Sequence, residues 1–357
     1  LAHYTGKFAK GQPLTSGLLA LIIGTKGMIC MEFYATLGEP CARRDILDQM
    51  FQAGMTGIRV NLSHTSLTQC APLLQELYWP SARGAGRGNA HLILDLQGPE
   101  LRVGDLPRPI LLREGDEVLL GDGGIPVPPS ILQSARRGQE ISIDDGALLL
   151  QVKRSSPSVL LCQVVRGGPL RSKKSLSLLG MEVDTPTLTP ADLENLNQAG
   201  QCGATHILQP FVRGRRDIEI LRDTLDSLGL GGVRVMAKIE EEQGLEHLDE
   251  IIRTADQVCV ARGDLGNTMP LWKLPAIQKD IARRCRAAGT PFCLVTQLLW
   301  SMERRPVPTR AEVSDIYNGV LDGASSLMLT GETAAGRWPV QAMGYLVKTA
   351  QEAVKAM

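Results

Sequence analysis

The chain has 357 residues, enough to bury a large core in one big domain or two. Its 38 basic and 38 acidic side chains cancel, which argues against a nucleic-acid coat or an anionic membrane surface as the main partner. Eight scattered cysteines with no C-x-x-C pair read as small buried hydrophobes in a reducing cytoplasm, not as a metal or disulfide framework.

Near the start, the apolar run from residue 17 to residue 24 is too short to span a bilayer. It also lacks the basic region and cleavage site of a secretory leader, so it reads as a core segment. Eight apolar, β-prone runs then follow: 29–36, 57–63, 91–95, 205–211, 233–240, 257–262, 291–296 and 325–330. Between them lie stretches with helical periodicity: 43–53, 190–199, 217–228, 245–254, 273–288 and 311–321, with a closing helix at 339–357. Strands alternating with helices in this way predict a (β/α)8 TIM barrel. After the third strand, residues 98–180 change character to Gly, Pro and short alternating runs. That pattern predicts a small all-β domain inserted in the barrel and placed to act as a lid, with the barrel formed by residues 1–97 and 181–357.

Charged residues stand at the ends of two adjacent strands: Lys238 and Glu240 in Val235-Met-Ala-Lys-Ile-Glu240, Arg262 and Asp264 in Val260-Ala-Arg-Gly-Asp264. In such a barrel the carboxyl ends of the strands converge on one mouth. Two carboxylates there suit Mg²⁺ or Mn²⁺, and a lysine suits a phosphate or an enolate. A lone strand-end acid more often caps a helix or pairs with arginine; two at one mouth beside a lysine reverse that preference. Arg59, Asn61 and Ser63 alternate along one strand and share its face. Thr296 ends another strand, where a lone threonine is more often a helix cap. The backbone amides of Gly263 and Asp264 begin a helix and suit a carboxylate.

Six segments, in order and over nearly the whole chain, resemble the pyruvate kinase family. They are Ile58-Arg-Val-Asn-Leu-Ser-His64, Leu94-Asp-Leu-Gln-Gly-Pro-Glu-Leu-Arg102, Ile143-Asp-Asp-Gly146 with Gly167-Gly-Pro-Leu-Arg-Ser-Lys-Lys174, the two metal-core segments above, Thr296-Gln297 with Arg305-Pro-Val-Pro-Thr-Arg-Ala-Glu312, and Met328-Leu-Thr-Gly-Glu-Thr333. The resemblance implies a phosphotransferase that moves the phosphoryl group of phosphoenolpyruvate to ADP, with Mg²⁺ (or Mn²⁺) and K⁺ as cofactors. It also implies a cytoplasmic location and a homo-oligomer through the barrel faces, with no nucleic acid or membrane partner.

Carried over residue by residue, Glu240 and Asp264 would hold Mg²⁺. Arg59 would hold the transferring phosphate, and Lys238 would stabilise it and the enolate. Asn61, Ser63, Asp95 and the Leu96 carbonyl would bind K⁺, with Glu100 matching the acid of potassium-dependent members. Thr296 would deliver a proton, Gly263 and Asp264 would bind the substrate carboxylate, and Asn61, His64, Arg102 and Lys174 would face the nucleotide. The family continues into a C-terminal regulatory domain, with a loop for a sugar bisphosphate, beyond the point where this sequence stops.

Departures gather around the expected nucleotide and lid: Glu39 for proline, Thr65 for glycine, Gln69 for tyrosine, Leu96-Gln97 for a threonine and a basic residue, Pro210 for serine, and Ser175, Ser177 and Leu179 in the lid. They predict weak use of ADP, with GDP equal or better if Glu39 faces the base. Two alternatives share the intact metal and enolate core: a Mg-dependent lyase or decarboxylase acting on pyruvate-like enolates, and a degenerate paralogue that only binds phosphoenolpyruvate.

Overall fold

The computed structural model describes residues 20–22, 28–86, 90–144, 146–181, 183 and 185–357. Most of the apolar run 17–24, read as a core segment, lies outside the described residues; within it Ala20–Ile22 pairs with Met28–Cys30. Eight parallel strands form a closed barrel: β1 (Glu32–Thr36), β2 (Gly57–Asn61), β3 (His91–Asp95), β4 (His206–Gln209), β5 (Arg234–Ile239), β6 (Gln257–Ala261), β7 (Phe292–Val295) and β8 (Ser326–Leu329). Each pairs with its successor, β3 meets β4 across the insertion, and β8 closes on β1. The (β/α)8 expectation holds.

Alternation along each strand sends one set of side chains into the lumen, where Tyr34, Leu208, Met236, Cys259 and Met328 pack together. The other set meets the surrounding helices in the main apolar core. Several strands are shorter than their apolar runs because the chain turns sharply at the mouth. Phe211, Thr296 and Gln297 all have left-handed φ, of 51°, 68° and 52°. The seven cysteines from Cys41 onward are free and all but Cys70 are buried, as expected of small hydrophobes. No helix among the described residues is long and apolar enough to cross a membrane.

The apolar pattern flags no helix between β2 and β3, yet Leu67–Leu73, a wide π turn at Leu74–Tyr78 and Trp79–Gly84 run on continuously there. Pro80 has no N–H to donate to Glu76, and the wide turn falls where that bond is missing. At the start of the stretch, Ser66 and Gln69 form a capping box.

Residues of the insertion build an antiparallel five-stranded sheet from Glu117–Gly121, Glu140–Ile143, Leu148–Ser155, Val159–Arg166 and Leu176–Leu178. A second apolar core, including Leu120, Ile141, Leu150, Leu160 and Cys162, lies beneath it. One short helix, Pro129–Ser134, interrupts the β pattern, with Pro129 at its first turn where a missing N–H costs nothing. Both chain crossings meet at one buried carboxylate. Asp192 Oδ1 accepts the Gln97 and Gly98 N–H groups at 2.9 and 3.2 Å, and Oδ2 accepts the Thr189 N–H at 2.9 Å.

Candidate active site

The mouth is built from β2, β3 and β5. Strand phase puts Lys238 and Glu240 on one face of the β5 end, while Asn61 and Asp95 sit in register where β2 meets β3. There the charges alternate. Asp95 Oδ2 takes Arg59 Nη2 at 2.5 Å and Nε at 2.7 Å, and its Oδ1 lies 3.5 Å from Lys238 Nζ. Lys238 Nζ is in turn 2.8 Å from Glu240 Oε1. Burial opposes the Lys238 charge, but the carboxylates of Asp95 and Glu240 outweigh it and hold the ammonium well above its ordinary pKa. Glu240 responds the other way. Burial, with repulsion from Asp264, pushes its carboxyl up to about 8 against the pull of Lys238.

Glu240 Oε2 accepts the Phe211 N–H at 2.8 Å, an amide aimed by the left-handed turn at that residue. Its Oε1 is buried beside Lys238 Nζ. A buried carboxylate oxygen facing a cavity, with the exposed carboxylate of Asp264 on the same wall, fits a hard divalent cation. Among the described residues no cluster of three or more His, Cys, Asp or Glu side chains is grouped for a metal, so water and substrate oxygens would supply the remaining ligands.

These residues open on a cavity of about 330 Å³. Arg59, Asn61, Ser63, His64, Asp95 and Leu96 line one side, and Lys238, Glu240 and Asp264 another. Arg102, Asp144 and Lys174 from the insertion face them. Lys174 pairs with Asp144 at 2.7 Å, and Arg102 pairs with Glu100 at 2.6 Å and donates to the Lys173 carbonyl at 2.6 Å. Burial, then the charges of Arg102 and Arg59, hold the His64 imidazole below its usual pKa. Burial raises the Glu100 carboxyl despite Arg102. Asn61 Oδ1 accepts the Ser63 N–H at 3.2 Å.

Some placements differ from the sequence expectation. Gly263 and Thr296 are not on the cavity wall; they bind each other, the Gly263 N–H donating to Thr296 Oγ1 at 2.9 Å. That hydroxyl donates to the Val295 carbonyl at 2.6 Å. Arg262 turns away from the mouth to Asp315 and to the Thr296 carbonyl. Among the departures, Leu96, Gln97, Ser175 and Pro210 line the cavity. Glu39 is exposed and does not, while the Gln69 side chain accepts the Ser66 N–H at 3.1 Å as a helix cap. Thr36 escapes a motif reading: its hydroxyl accepts Arg59 Nη1 at 3.0 Å and fixes the guanidinium from β1. A buried threonine at a strand end is the one signal the sequence offers for it.

A protein-family model described as "Pyruvate kinase, barrel domain" matches residues 30–343. The chain belongs to the pyruvate kinase family. It is 35% identical over 330 residues to the pyruvate kinase of Aeropyrum pernix, covering 92% of this chain and 71% of that protein. With pyruvate kinase of Geobacillus stearothermophilus it shares 34% over 319 residues, 86% of this chain and 54% of the relative. With human pyruvate kinase PKLR it shares 36% over 342 residues, 90% of this chain and 59% of the relative. Several pyruvate kinase relatives are thus much longer than this sequence.

Proposed function

We propose that the chain transfers the phosphoryl group of phosphoenolpyruvate to ADP, giving pyruvate and ATP in the cytoplasm as a step of glycolysis. The alternating series Arg59–Asp95–Lys238–Glu240 carries this reading. It sets two fixed cations beside a buried carboxylate in a cavity that Arg102 and Lys174 of the insertion also line. Phosphoryl transfer needs positioning and charge stabilisation more than covalent chemistry, and these groups supply both.

Arg59, braced by Thr36 and Asp95, would bind the phosphoryl oxygens. Lys238 stays protonated and would stabilise the oxygen left when the phosphoryl group departs. Mg²⁺ (or Mn²⁺) on Glu240 and Asp264, with K⁺ on Asn61, Ser63, Asp95 and the Leu96 carbonyl, would neutralise the remaining anionic charge when bound. Asn61, His64, Arg102 and Lys174 would face the nucleotide, and the 98–180 insertion would act as the lid that excludes water. A substrate carboxylate taking the Gly263 N–H would free the Thr296 hydroxyl from that donor, and its rotation away from the Val295 carbonyl would then turn its proton to the enolate carbon. A homo-oligomer through the barrel faces belongs to the same reading.

The test is a coupled pyruvate assay with phosphoenolpyruvate, Mg²⁺, K⁺ and a panel of nucleoside diphosphates. Pyruvate formed in proportion to nucleoside triphosphate supports the reading. Pyruvate without triphosphate would favour a lyase or decarboxylase, and binding of phosphoenolpyruvate without pyruvate would favour a degenerate paralogue.

A further inference from the structure

We infer that Arg262, anchored by Asp315, is a positioning residue that holds Thr296 and thereby sets where its hydroxyl sits. The inference rests on the proposed function for the meaning of that hydroxyl, but its geometry stands by itself. Thr296 and Gln297 are consecutive non-glycine residues with φ of 68° and 52°. A β-branched residue does not adopt the left-handed region unless its surroundings impose it.

Arg262 and Gly263 are what impose it. Arg262 Nη2 donates to the Thr296 carbonyl at 2.7 Å, while the next residue's N–H donates to Thr296 Oγ1 at 2.9 Å. One dipeptide thus grips the threonine at its carbonyl and its hydroxyl. The other arm of the guanidinium is tied outward. Nη1 lies 2.6 Å from Asp315 Oδ2 on the helix Arg310–Leu321 and 3.4 Å from Gln278 Oε1 on the helix Leu274–Ala288. The Arg262 side chain is only 11% exposed, so both arms are held within the packed wall of the barrel. Both arms of Arg262 are occupied, one by Asp315 and the other by the Thr296 carbonyl, so any part it plays in the chemistry passes through Thr296.

The planar fork is suited to this work. It reaches two acceptors at fixed directions, which an ammonium cannot reproduce. A purely structural ion pair would also be buried here, so the test needs a readout that stability alone does not move. Exchange of the pyruvate methyl protons with D₂O, followed by proton NMR with Mg²⁺, K⁺ and ATP, reports proton transfer at the reacting carbon. Arg262→Met is expected to slow it on the order of 10²-fold, the size of loss that a small misplacement of a reacting group produces. The KM for phosphoenolpyruvate and the affinity for Mn²⁺ should stay unchanged, and Arg262→Lys should recover only part of the loss.

The deciding comparison is non-additivity. Combined with Thr296→Val, Arg262→Met should slow exchange no further than Thr296→Val alone; independent, additive losses would overturn the inference. Should Arg262→Met fail to fold, Asp315→Asn keeps the guanidinium and removes its anchor, and the same non-additive outcome is expected. A crystal structure of either variant gives a readout independent of activity. A Thr296 main chain still at its left-handed φ overturns the inference, whatever the enzyme does. A wild-type chain that neither forms pyruvate nor exchanges its methyl protons overturns the proposed function instead, leaving the conformational result to judge Arg262.

Discussion

An ammonium as deeply placed as that of Lys238 exists because two carboxylates offset its desolvation. Its position is therefore set for charge, and its removal should act mainly on the step in which new negative charge develops. Lys238→Met is expected to lower kcat by on the order of 10²–10³, with a much smaller change in Mn²⁺ affinity. Near wild-type turnover would reassign the lysine to structure. Glu240→Gln and Asp264→Asn should each abolish phosphoenolpyruvate-dependent Mn²⁺ binding while the melting transition persists; calorimetry showing unaltered affinity in both would remove the metal from that corner. Glu39 is a different matter. It is exposed and off the cavity wall, so Glu39→Pro should leave the ratio of kcat/KM for ADP and GDP where it was. A shift in that ratio would place the carboxylate near the base after all. The residues legible in the sequence were those whose direction follows from strand phase, as with Lys238, Glu240 and Arg59. Arg262 was not, because it follows the last strand residue, and the direction of its side chain depends on a carboxylate 53 positions away.

At the scale of elements, the strand pattern was legible because alternation has only two faces to choose from. The helical stretch after β2 was not, since Pro72 and Pro80 look like breakers until the wide turn between them is seen. Close packing between strands leaves its mark at Gly57, where an added Cβ would lie 2.5 Å from the His91 carbonyl oxygen. Gly57→Ala should destabilise the barrel by about 1–3 kcal/mol, the usual cost of overpacking. Gly344, in the closing helix Pro339–Lys355, has nothing within 4 Å of such a Cβ. Gly344→Ala should stabilise by about 0.5–1 kcal/mol, and denaturant titrations that ranked the two variants the other way would refute the packing argument.

The strand starts carry a second polar layer, opposite the mouth. Glu32 accepts from the Tyr34 hydroxyl, His91 Nε2 lies 3.0 Å from Glu32 Oε1, and the His206 ring meets the His91 ring edge-on at 4.9 Å. Burial, reinforced by His91, drives the His206 pKa down to about 4. Burial opposes the Glu32 charge, but hydrogen bonds from His91 and Tyr34 outweigh it and hold that carboxyl low. Both groups bind protons more tightly in the unfolded chain, so both make stability rise with pH. For His206 the contribution is complete above pH 6.5 and fades as the pH falls towards 4, by about 3 kcal/mol in all. His206→Asn removes that dependence, so its stability should gain on the wild type as the pH is lowered across this window. Unfolding curves that stay parallel from pH 7 to pH 4.5 would show that the imidazole is not held neutral.

For the molecule as a whole, the question is how an inserted sheet with its own core is kept over the mouth. Both crossings of the chain end on Asp192, a fully buried carboxylate at the start of the helix Pro190–Cys202. One oxygen takes the two N–H groups leaving β3 and the other takes the N–H and hydroxyl of Thr189, so a single side chain sets the spacing of the hinge. Gly98 makes that turn at φ 64°, against the ring of Pro210, which leaves no room for another residue there. Asp192→Ala would strand four donors, one buried and three partly buried, at a loss of roughly 1–3 kcal/mol for each one left unsatisfied. The chain can avoid most of that cost by opening locally, since both crossings reach solvent more easily than a barrel strand does. Amide exchange at Gln97, Gly98 and Thr189 should therefore accelerate, while the amides of β8 stay protected. KM and kcat should change together, as they do when a closing segment loses its hinge. If exchange instead quickened equally at the hinge and in β8, Asp192 would be a keystone of the barrel itself, and the spacing of the lid would have to be set elsewhere.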